Sequence, residues 1–320
     1  MGIHVVILKR IKYLQEMNWN GVLPAVTTKF TADGSIDYKL FFENVEEQIN
    51  AGVIGVILGG TLGESSVLED EEKMELTRKT IAYVKGRVPV VLNIAEGSTR
   101  KAIACAQAAE SMGVDALMLL PPMRYTPDHR ELVAYFSEIA KSTKLPIMIY
   151  NNPVDYKTYV TLDVFEELLP YENIQAVKES TRDVSNVTRM ISKFGDRYKI
   201  LCGVDTLTME CLTMGAHGLV AGLVCAFPKE TVVLFNLIKE GKTTEALEIY
   251  RWFLPLLELD IHSKLVQYIK LAEEMTGIGS AKVRAPRLEL VGEEKAKIVK
   301  LIQEGIDSRP VLENYNILVG

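Results

Sequence analysis

Short, nearly continuous hydrophobic runs alternate with amphipathic stretches from residue 21 onward. Such runs are typical of strands that are buried on both faces of a parallel sheet. The eight runs are residues 22–27, 53–58, 88–93, 116–120, 147–151, 174–178, 198–202 and 218–221. Helical spacing of hydrophobic positions marks the stretches between them, as at residues 39–50, 71–85, 99–112 and 162–169. Eight strand–helix units in series predict an α/β fold of the (β/α)8 TIM barrel type, with a doubly wound sheet as the alternative that periodicity leaves open.

The chain continues well beyond the eighth run. Helical patterns at residues 243–259, 262–275 and 293–304 predict a helical appendage that packs on the barrel and is a candidate for an oligomer interface. We therefore expect three parts, which are an N-terminal extension (residues 1–20), the barrel (21–230) and a C-terminal helical region (231–320).

Composition narrows the functional classes. The chain has 48% hydrophobic and 24% charged residues and a net charge of -6, which argues against a nucleic-acid-binding surface. The four cysteines are scattered in apolar contexts, as in a reduced cytoplasmic protein. No hydrophobic run has the length of a membrane span, and the positive charges near the start follow the apolar residues 3–8, the reverse of a secretory signal. We expect a cytoplasmic enzyme with a small-molecule substrate.

The sixth run ends in a lysine, Lys178. Burial of an ammonium costs free energy and lowers its pKa, which frees the amine to attack carbonyl carbons. Tyr150 lies near the end of the fifth run, one strand–helix unit earlier, so the two side chains should face the same barrel mouth. A tyrosine there can relay protons if its hydroxyl is hydrogen-bonded, and Thr61 is the expected partner. The alternative is a strand-end lysine that simply reaches solvent.

The second run leads into Gly59-Gly60-Thr61-Leu62-Gly63-Glu64-Ser65, a glycine-rich loop. Its backbone N–H groups can approach a carboxylate, although an ordinary turn has the same composition. After the fourth run, Arg124 can pair with a substrate carboxylate, although a solvated loop arginine is the commoner case. Gly203 follows the seventh run and Val220 lies in the eighth, and the small residues at these positions would leave room for a ligand above Lys178.

No metal or organic cofactor is predicted. The four histidines show no metal-ligand spacing, and neither a GxSxG nucleophile elbow nor a Walker phosphate loop occurs in the sequence. Lys178 is therefore the best candidate nucleophile.

Three motifs in this order resemble the dihydrodipicolinate synthase/N-acetylneuraminate lyase family, and the resemblance extends over residues 21–304. They are Gly60-Thr61-Leu62-Gly63-Glu64-Ser65, Tyr150-Asn151-Asn152-Pro153 and Val177-Lys178-Glu179-Ser180. The resemblance implies a (β/α)8 barrel with a C-terminal helical region, usually assembled as a homotetramer. It also implies a lysine that forms a Schiff base with a 2-oxo acid, without a metal or organic cofactor.

The family's site residues carry over to positions of this chain. Lys178 matches the Schiff-base lysine, Tyr150 the proton-relay tyrosine and Thr61 the hydroxyl that contacts that tyrosine. Gly203 and Val220 match pocket residues for the keto-acid portion. The remaining substrate-binding candidates are Gly60, Leu62, Arg124 and Tyr125, and the sequence leaves open which of the last two faces the site.

Two departures from the family pattern bear on the substrate. Leu62 stands where dihydrodipicolinate synthases carry a second threonine, and Asp155 stands where they carry an arginine for a second carboxylate. A closer resemblance, in residues 222–231, 250–253 and 265–273, is to bacterial 1-pyrroline-4-hydroxy-2-carboxylate deaminases of hydroxyproline breakdown. That resemblance implies release of ammonia and 2,5-dioxopentanoate from a cyclic imine. The alternatives are 4-hydroxy-tetrahydrodipicolinate synthase, or an aldolase or dehydratase of 2-keto-3-deoxy sugar acids, with a homodimer as the alternative assembly.

Overall fold

Eight parallel strands form one sheet. A computed structural model describes residues 17–122 and 124–315. The strands are β1 (Val22–Pro24), β2 (Val56–Leu58), β3 (Val90–Ile94), β4 (Ala116–Leu119), β5 (Ile147–Asn151), β6 (Ile174–Glu179), β7 (Lys199–Cys202) and β8 (Gly218–Ala221). Their order is β1-β8-β7-β6-β5-β4-β3-β2, and a parallel bridge between Ala25 and Ile57 joins the two end strands. The predicted (β/α)8 barrel is confirmed.

The hydrophobic runs located the strands but overestimated the length of several. β5 and β8 match their predicted ranges, whereas β1 ends at Pro24 and β2 begins only at Val56. Val26 and Val53 flank those two strands and are almost fully buried although they lie outside them. A hydrophobic run indicates which residues are buried in the barrel wall, and it does not indicate which of them form hydrogen bonds between strands. The runs therefore extend past the hydrogen-bonded strands.

Helices follow the strands around the barrel. They are α1 (Tyr38–Asn50), α2 (Asp70–Val84), α3 (Thr99–Met112), α4 (His129–Ser142), α5 (Pro153–Tyr156), α6 (Leu162–Glu167), α7 (Ser185–Phe194), α8 (Thr208–Thr213) and α9 (Pro228–Lys239). The predicted helix at residues 99–112 is reproduced at both ends, because Ser98 caps its start and Gly113, with φ of 85°, ends it.

The N-terminal end of the barrel is packed before the first strand begins. Trp19 is buried, and its indole N–H donates to Gln175 Oε1 at 3.1 Å. Residues 1–16 of the predicted extension lie outside the described residues.

The C-terminal region consists of α10 (Thr243–Leu257), a 3-10 turn (Glu258–Ile261), α11 (Leu265–Met275) and α12 (Gly292–Asp307). The boundary predicted at residue 230 falls inside α9, which packs against β1 and α1 and so serves as the eighth barrel helix. Within residues 17–315, leaving out Met123, no helix is long and apolar enough to cross a membrane.

Two buried ion pairs join α11 to the barrel. Lys270 Nζ lies 2.6 Å from Glu64 Oε1 and Lys29 Nζ lies 3.0 Å from Glu273 Oε1, and all four side chains have no solvent exposure. Thr27 adds a hydroxyl donor to Glu273, at 2.8 Å. Since a buried charge is tolerated only when it is paired and hydrogen-bonded, α11 can dock only where both pairs form.

We predict that Lys270→Met lowers the free energy of unfolding by about 3–5 kcal/mol, because the substitution removes the cation that lies 2.6 Å from the buried Glu64 carboxylate and leaves the more distant Arg287, at 3.8 Å. Urea unfolding followed by circular dichroism measures it. The control is Lys39→Met, which removes an exposed lysine 3.9 Å from Glu43 and should leave the urea midpoint unchanged. Equal midpoints for the two variants would contradict the prediction.

Candidate active site

Lys178 lies at the C-terminal end of β6 and faces the barrel interior. It pairs with Tyr150 of β5, as the sequence predicted, and its Nζ lies 4.1 Å from the centroid of the Tyr150 ring. Side chains alternate along a strand, so the next residue, Glu179, points away from the barrel axis and accepts hydrogen bonds from Thr181 N and Asn186 Nδ2, both at 2.8 Å. The strand therefore directs one amine into the mouth and keeps its neighbouring carboxylate out.

The environment of Lys178 favours the neutral amine. Burial lowers the pKa of Lys178, and the acidic groups of Tyr156, Asp260 and Asp205 oppose this only in part. A neutral amine is the nucleophilic form, so the site prepares Lys178 for attack on a carbonyl or imine carbon.

Gly203, one residue past β7, makes the space that the lysine occupies. A Cβ on Gly203 would lie 2.6 Å from Lys178 Cγ and 2.2 Å from Ser180 Oγ. Even a methyl group would therefore displace the lysine side chain.

The tyrosine arrangement differs from the expected one. Thr61 Oγ1 lies 2.7 Å from the hydroxyl of Tyr156, and the hydroxyl of Tyr150 accepts instead from Asn152 Nδ2 at 3.0 Å. The expected contact between Thr61 and Tyr150 is therefore wrong. The cause is α5: Asn152 caps it, Pro153 begins it, and its single turn brings Tyr156 against Tyr150, with ring centroids 5.5 Å apart.

Both tyrosine hydroxyls are held in their protonated form. Burial raises the pKa of Tyr150 well above its ordinary value and raises that of Tyr156 to about 12. They can act as donors and as relays that pass a proton along, which is the role expected of Tyr150.

The glycine-rich loop is fixed from several sides. Gly59 has φ of +66°, which favours glycine, and Asn93 Nδ2 donates to its carbonyl at 2.8 Å. The hydroxyl of Thr28 donates to the Gly63 carbonyl at 2.6 Å, and Glu64 is held by Lys270. This anchoring places Thr61 and the buried side chain of Leu62 at the mouth.

Two carboxyl groups that the sequence analysis did not select complete the site. Asp205 accepts from the backbone N–H groups of Leu223, at 2.8 Å, and Gly222, at 3.1 Å, and burial raises its pKa to about 6. Asp260 comes from the 3-10 turn before α11, and burial together with Asp205 raises its pKa well above its ordinary value. The site thus combines an amine of lowered pKa with carboxyl groups of raised pKa.

A cavity of about 590 Å³ brings most of the predicted residues together. Its lining includes Gly60, Thr61, Leu62, Arg124, Tyr150, Lys178, Gly203 and Val220. Tyr125 is 53% exposed and is not among the described residues that line the cavity, so Arg124 is the residue of that pair that faces the site.

Tyr156, Asp260 and Asp155 also line this cavity. Tyr156 could have been found from the Asn-Pro pair that starts a helical turn three residues before it. Asp260 carries a weaker signal, as an acidic residue between Leu259 and Ile261. Within the described residues, no group of three or more histidine, cysteine, aspartate or glutamate side chains could hold a metal ion.

The chain matches known proteins over most of its length. The model of the dihydrodipicolinate synthetase family matches residues 18–305. The 4-hydroxy-tetrahydrodipicolinate synthase of Methanococcus maripaludis is 34% identical over 282 residues, which is 87% of this chain and 96% of the relative. Its counterpart from Exiguobacterium sibiricum is 31% identical over 285 residues, 89% of this chain and 96% of the relative.

Solved structures agree with these matches. The 4-hydroxy-tetrahydrodipicolinate synthase of Methylacidiphilum fumariolicum SolV has a TM-score of 0.88 and 30% identity, and the match covers 92% of this chain and 99% of that one. YagE of E. coli K12, a member of the dihydrodipicolinic acid synthase family solved in complex with pyruvate, has a TM-score of 0.84 and 28% identity. That match covers 90% of this chain and 98% of YagE.

We predict that Gly203→Ala abolishes imine formation, because the new methyl group would displace the Lys178 side chain. The measurement is the mass added to the intact protein by pyruvate and borohydride. Circular dichroism shows whether the variant is folded, and a folded variant that traps pyruvate as well as the parent protein would contradict the prediction.

We also predict that pyruvate trapping has its half-maximal rate at a pH below 10.5, the ordinary pKa of lysine. A lowered pKa means that the amine loses its proton, and gains its nucleophilicity, at a lower pH than a free lysine does. Initial trapping rates over a pH series measure the midpoint. A midpoint at or above 10.5 would show that burial does not favour the neutral amine.

Proposed function

Because the chain belongs to the dihydrodipicolinate synthetase family, we propose that Lys178 forms its imine with 1-pyrroline-4-hydroxy-2-carboxylate and that the enzyme deaminates this compound to 2,5-dioxopentanoate and ammonia. The members of the family are class I aldolase-type lyases, and this chain is one of them. The observation that carries the proposal is a buried amine of lowered pKa against the Tyr150 ring, in a cavity of about 590 Å³.

The choice of substrate rests on the cavity wall. Asp155 lines the cavity and accepts from Asn152 Nδ2 at 2.7 Å, at the position where the family's synthases carry an arginine for a second carboxylate. A carboxylate there repels a substrate that carries a second carboxylate. The cyclic imine has only one carboxylate, for which Arg124 and the backbone N–H groups of residues 60–63 are the candidate partners.

The mechanism begins when the Lys178 amine attacks C2 of the ring. The bond from C2 to the ring nitrogen then breaks, which opens the ring and leaves a protonated imine on Lys178. This imine withdraws electrons and acidifies C3, whose proton Tyr150 relays. The resulting enamine expels the C4 hydroxyl as water, and tautomerisation places an imine at C5. Hydrolysis of the C5 imine releases ammonia, and hydrolysis of the lysine imine releases 2,5-dioxopentanoate, so one water is consumed overall.

A second candidate is 4-hydroxy-tetrahydrodipicolinate synthase. It is favoured by the names of relatives that are 31–34% identical over almost their entire length. The two candidate reactions share Lys178 and its imine, and they differ in the reaction that the imine then undergoes. Aldolase or dehydratase action on a 2-keto-3-deoxy sugar acid would also begin at the same imine.

We also propose a homotetramer or homodimer. The C-terminal region exposes apolar side chains at Leu288, 77% exposed, and Val291, 74% exposed, which a neighbouring subunit could cover. Light scattering of the intact chain measures its mass in solution.

We predict that the purified enzyme releases ammonia from 1-pyrroline-4-hydroxy-2-carboxylate and that Lys178→Ala abolishes the release, because Lys178 is the amine of lowered pKa that lies against the Tyr150 ring. Tyr150→Phe should still be trapped by borohydride as an adduct but should turn over about 10²–10⁴-fold more slowly. A coupled ammonia assay and intact mass measure both.

The control reaction offers the enzyme pyruvate with aspartate semialdehyde. Condensation without ammonia release from the cyclic imine would identify the synthase. Trapping and product from a 2-keto-3-deoxy sugar acid alone would identify an aldolase or dehydratase, and undiminished turnover by Lys178→Ala would rule out all three reactions.

A further inference from the structure

The C-terminal region contributes a carboxyl group to the lysine site. Asp260 lines the same cavity as Lys178 and Tyr150, although it lies in the turn between α10 and α11 and not on a barrel strand. The backbone N–H of Asp205 donates a hydrogen bond to the carboxyl group of Asp260. This contact fixes the carboxyl at the end of β7, beside the strand that carries the lysine.

Gly222, the residue after β8, makes room for this carboxyl group. A Cβ at Gly222 would lie only 2.1 Å from Asp260 Oδ1 and 2.8 Å from Leu62 Cδ1. Asp260 therefore occupies the place that a side chain on the eighth strand would fill. At the lysine end of the cavity, the ring of Tyr150 lies against Lys178 Nζ.

The proposed deamination needs proton transfers at more than one place along the substrate. Protons move at C3, at the hydroxyl that leaves C4, and at C5. Tyr150 lies against the lysine nitrogen and so next to C2 and C3 of a bound substrate. The substrate atoms C4 and C5 lie further from that nitrogen. A second acid–base group is needed toward that end.

We propose that Asp260 is this second catalytic residue and that it protonates the hydroxyl leaving from C4. The inference rests on the function proposed above. In this step the C4–O bond breaks and its electron pair stays with oxygen, which takes the Asp260 proton and leaves as water. The enamine electrons form the C3–C4 double bond and restore the protonated lysine imine. The Asp260 carboxylate then takes a proton from C5, which regenerates the acid and begins the tautomerisation to the C5 imine.

The charge surroundings suit an acid that is protonated before the step. Acidic groups that act on Asp260 are Asp205 from the turn after β7, Asp155 from α5 and Tyr150 from β5, and Lys178 from β6 acts on it as a cation. Burial and Asp205 raise the pKa of Asp260, and Lys178 lowers it, the first effect being the larger. Since the pKa is raised, Asp260 stays protonated to a higher pH than a free aspartic acid does.

The test is Asp260→Asn, which keeps the shape and an acceptor for the Asp205 N–H but cannot donate as an acid. Ammonia release from 1-pyrroline-4-hydroxy-2-carboxylate should fall about 10²–10⁴-fold. Pyruvate trapping at Lys178, and exchange of the pyruvate methyl hydrogens in D2O, should stay within a few-fold of wild type. Borohydride should then trap an adduct one water heavier than the dehydrated one, because the C4 hydroxyl is retained.

The matched control is Glu258→Gln, which removes an exposed carboxylate from the same turn and should release ammonia at the wild-type rate. The wild-type rate should decline on the alkaline side as Asp260 loses its proton, and the slow residual rate of Asp260→Asn should lack that decline. Undiminished ammonia release by Asp260→Asn, or loss of pyruvate trapping as well, overturns the inference. A wild-type enzyme that releases no ammonia overturns the proposed function itself, so the two failures are distinguishable.

Discussion

The buried pairs Glu64–Lys270 and Lys29–Glu273 determine where the C-terminal region meets the barrel. An unpaired charge in these positions would cost several kcal/mol, so α11 has one acceptable position. That position has two consequences at the active site. Through Glu64 it holds the glycine-rich loop that carries Thr61, and through the turn before α11 it brings Asp260 into the cavity. The pocket is therefore built jointly by the barrel and its appendage.

Within that pocket, burial shifts the pKa of the amine and the pKa values of the acidic groups in opposite directions. Removal from water disfavours every charged form, so it lowers the pKa of Lys178 and raises those of Tyr150, Asp205 and Asp260. The amine therefore loses its proton at a lower pH, and the acids lose theirs at a higher pH, than the free groups do. Imine chemistry needs both at once, since each attack by the amine is followed by a proton transfer.

The repeated strand–helix period predicted parallel strands and the neighbouring positions of Lys178 and Tyr150, but it left open whether the sheet closes into a barrel. The sequence was insufficient where the partner is distant. Glu64 and Lys270 are 206 residues apart, and nothing near either residue indicates the other. The partner of Thr61 was also mistaken, since the direction of the Tyr156 side chain depends on the short helix that Asn152 caps. Charge burial and side-chain direction are properties of packing, which local patterns do not encode.

Leu62, Gly222 and Asp260 form one wall, and the three residues constrain one another. Leu62 has a buried aliphatic side chain whose Cδ1 lies 2.8 Å from the place of a Cβ at Gly222. The lack of that Cβ is also what admits the Asp260 carboxyl, at 2.1 Å. The wall of this cavity is therefore apolar at Leu62 and acidic at Asp260. In the function proposed above, such a wall disfavours a second anionic substrate and supplies a proton to the leaving group, so it would favour elimination over condensation.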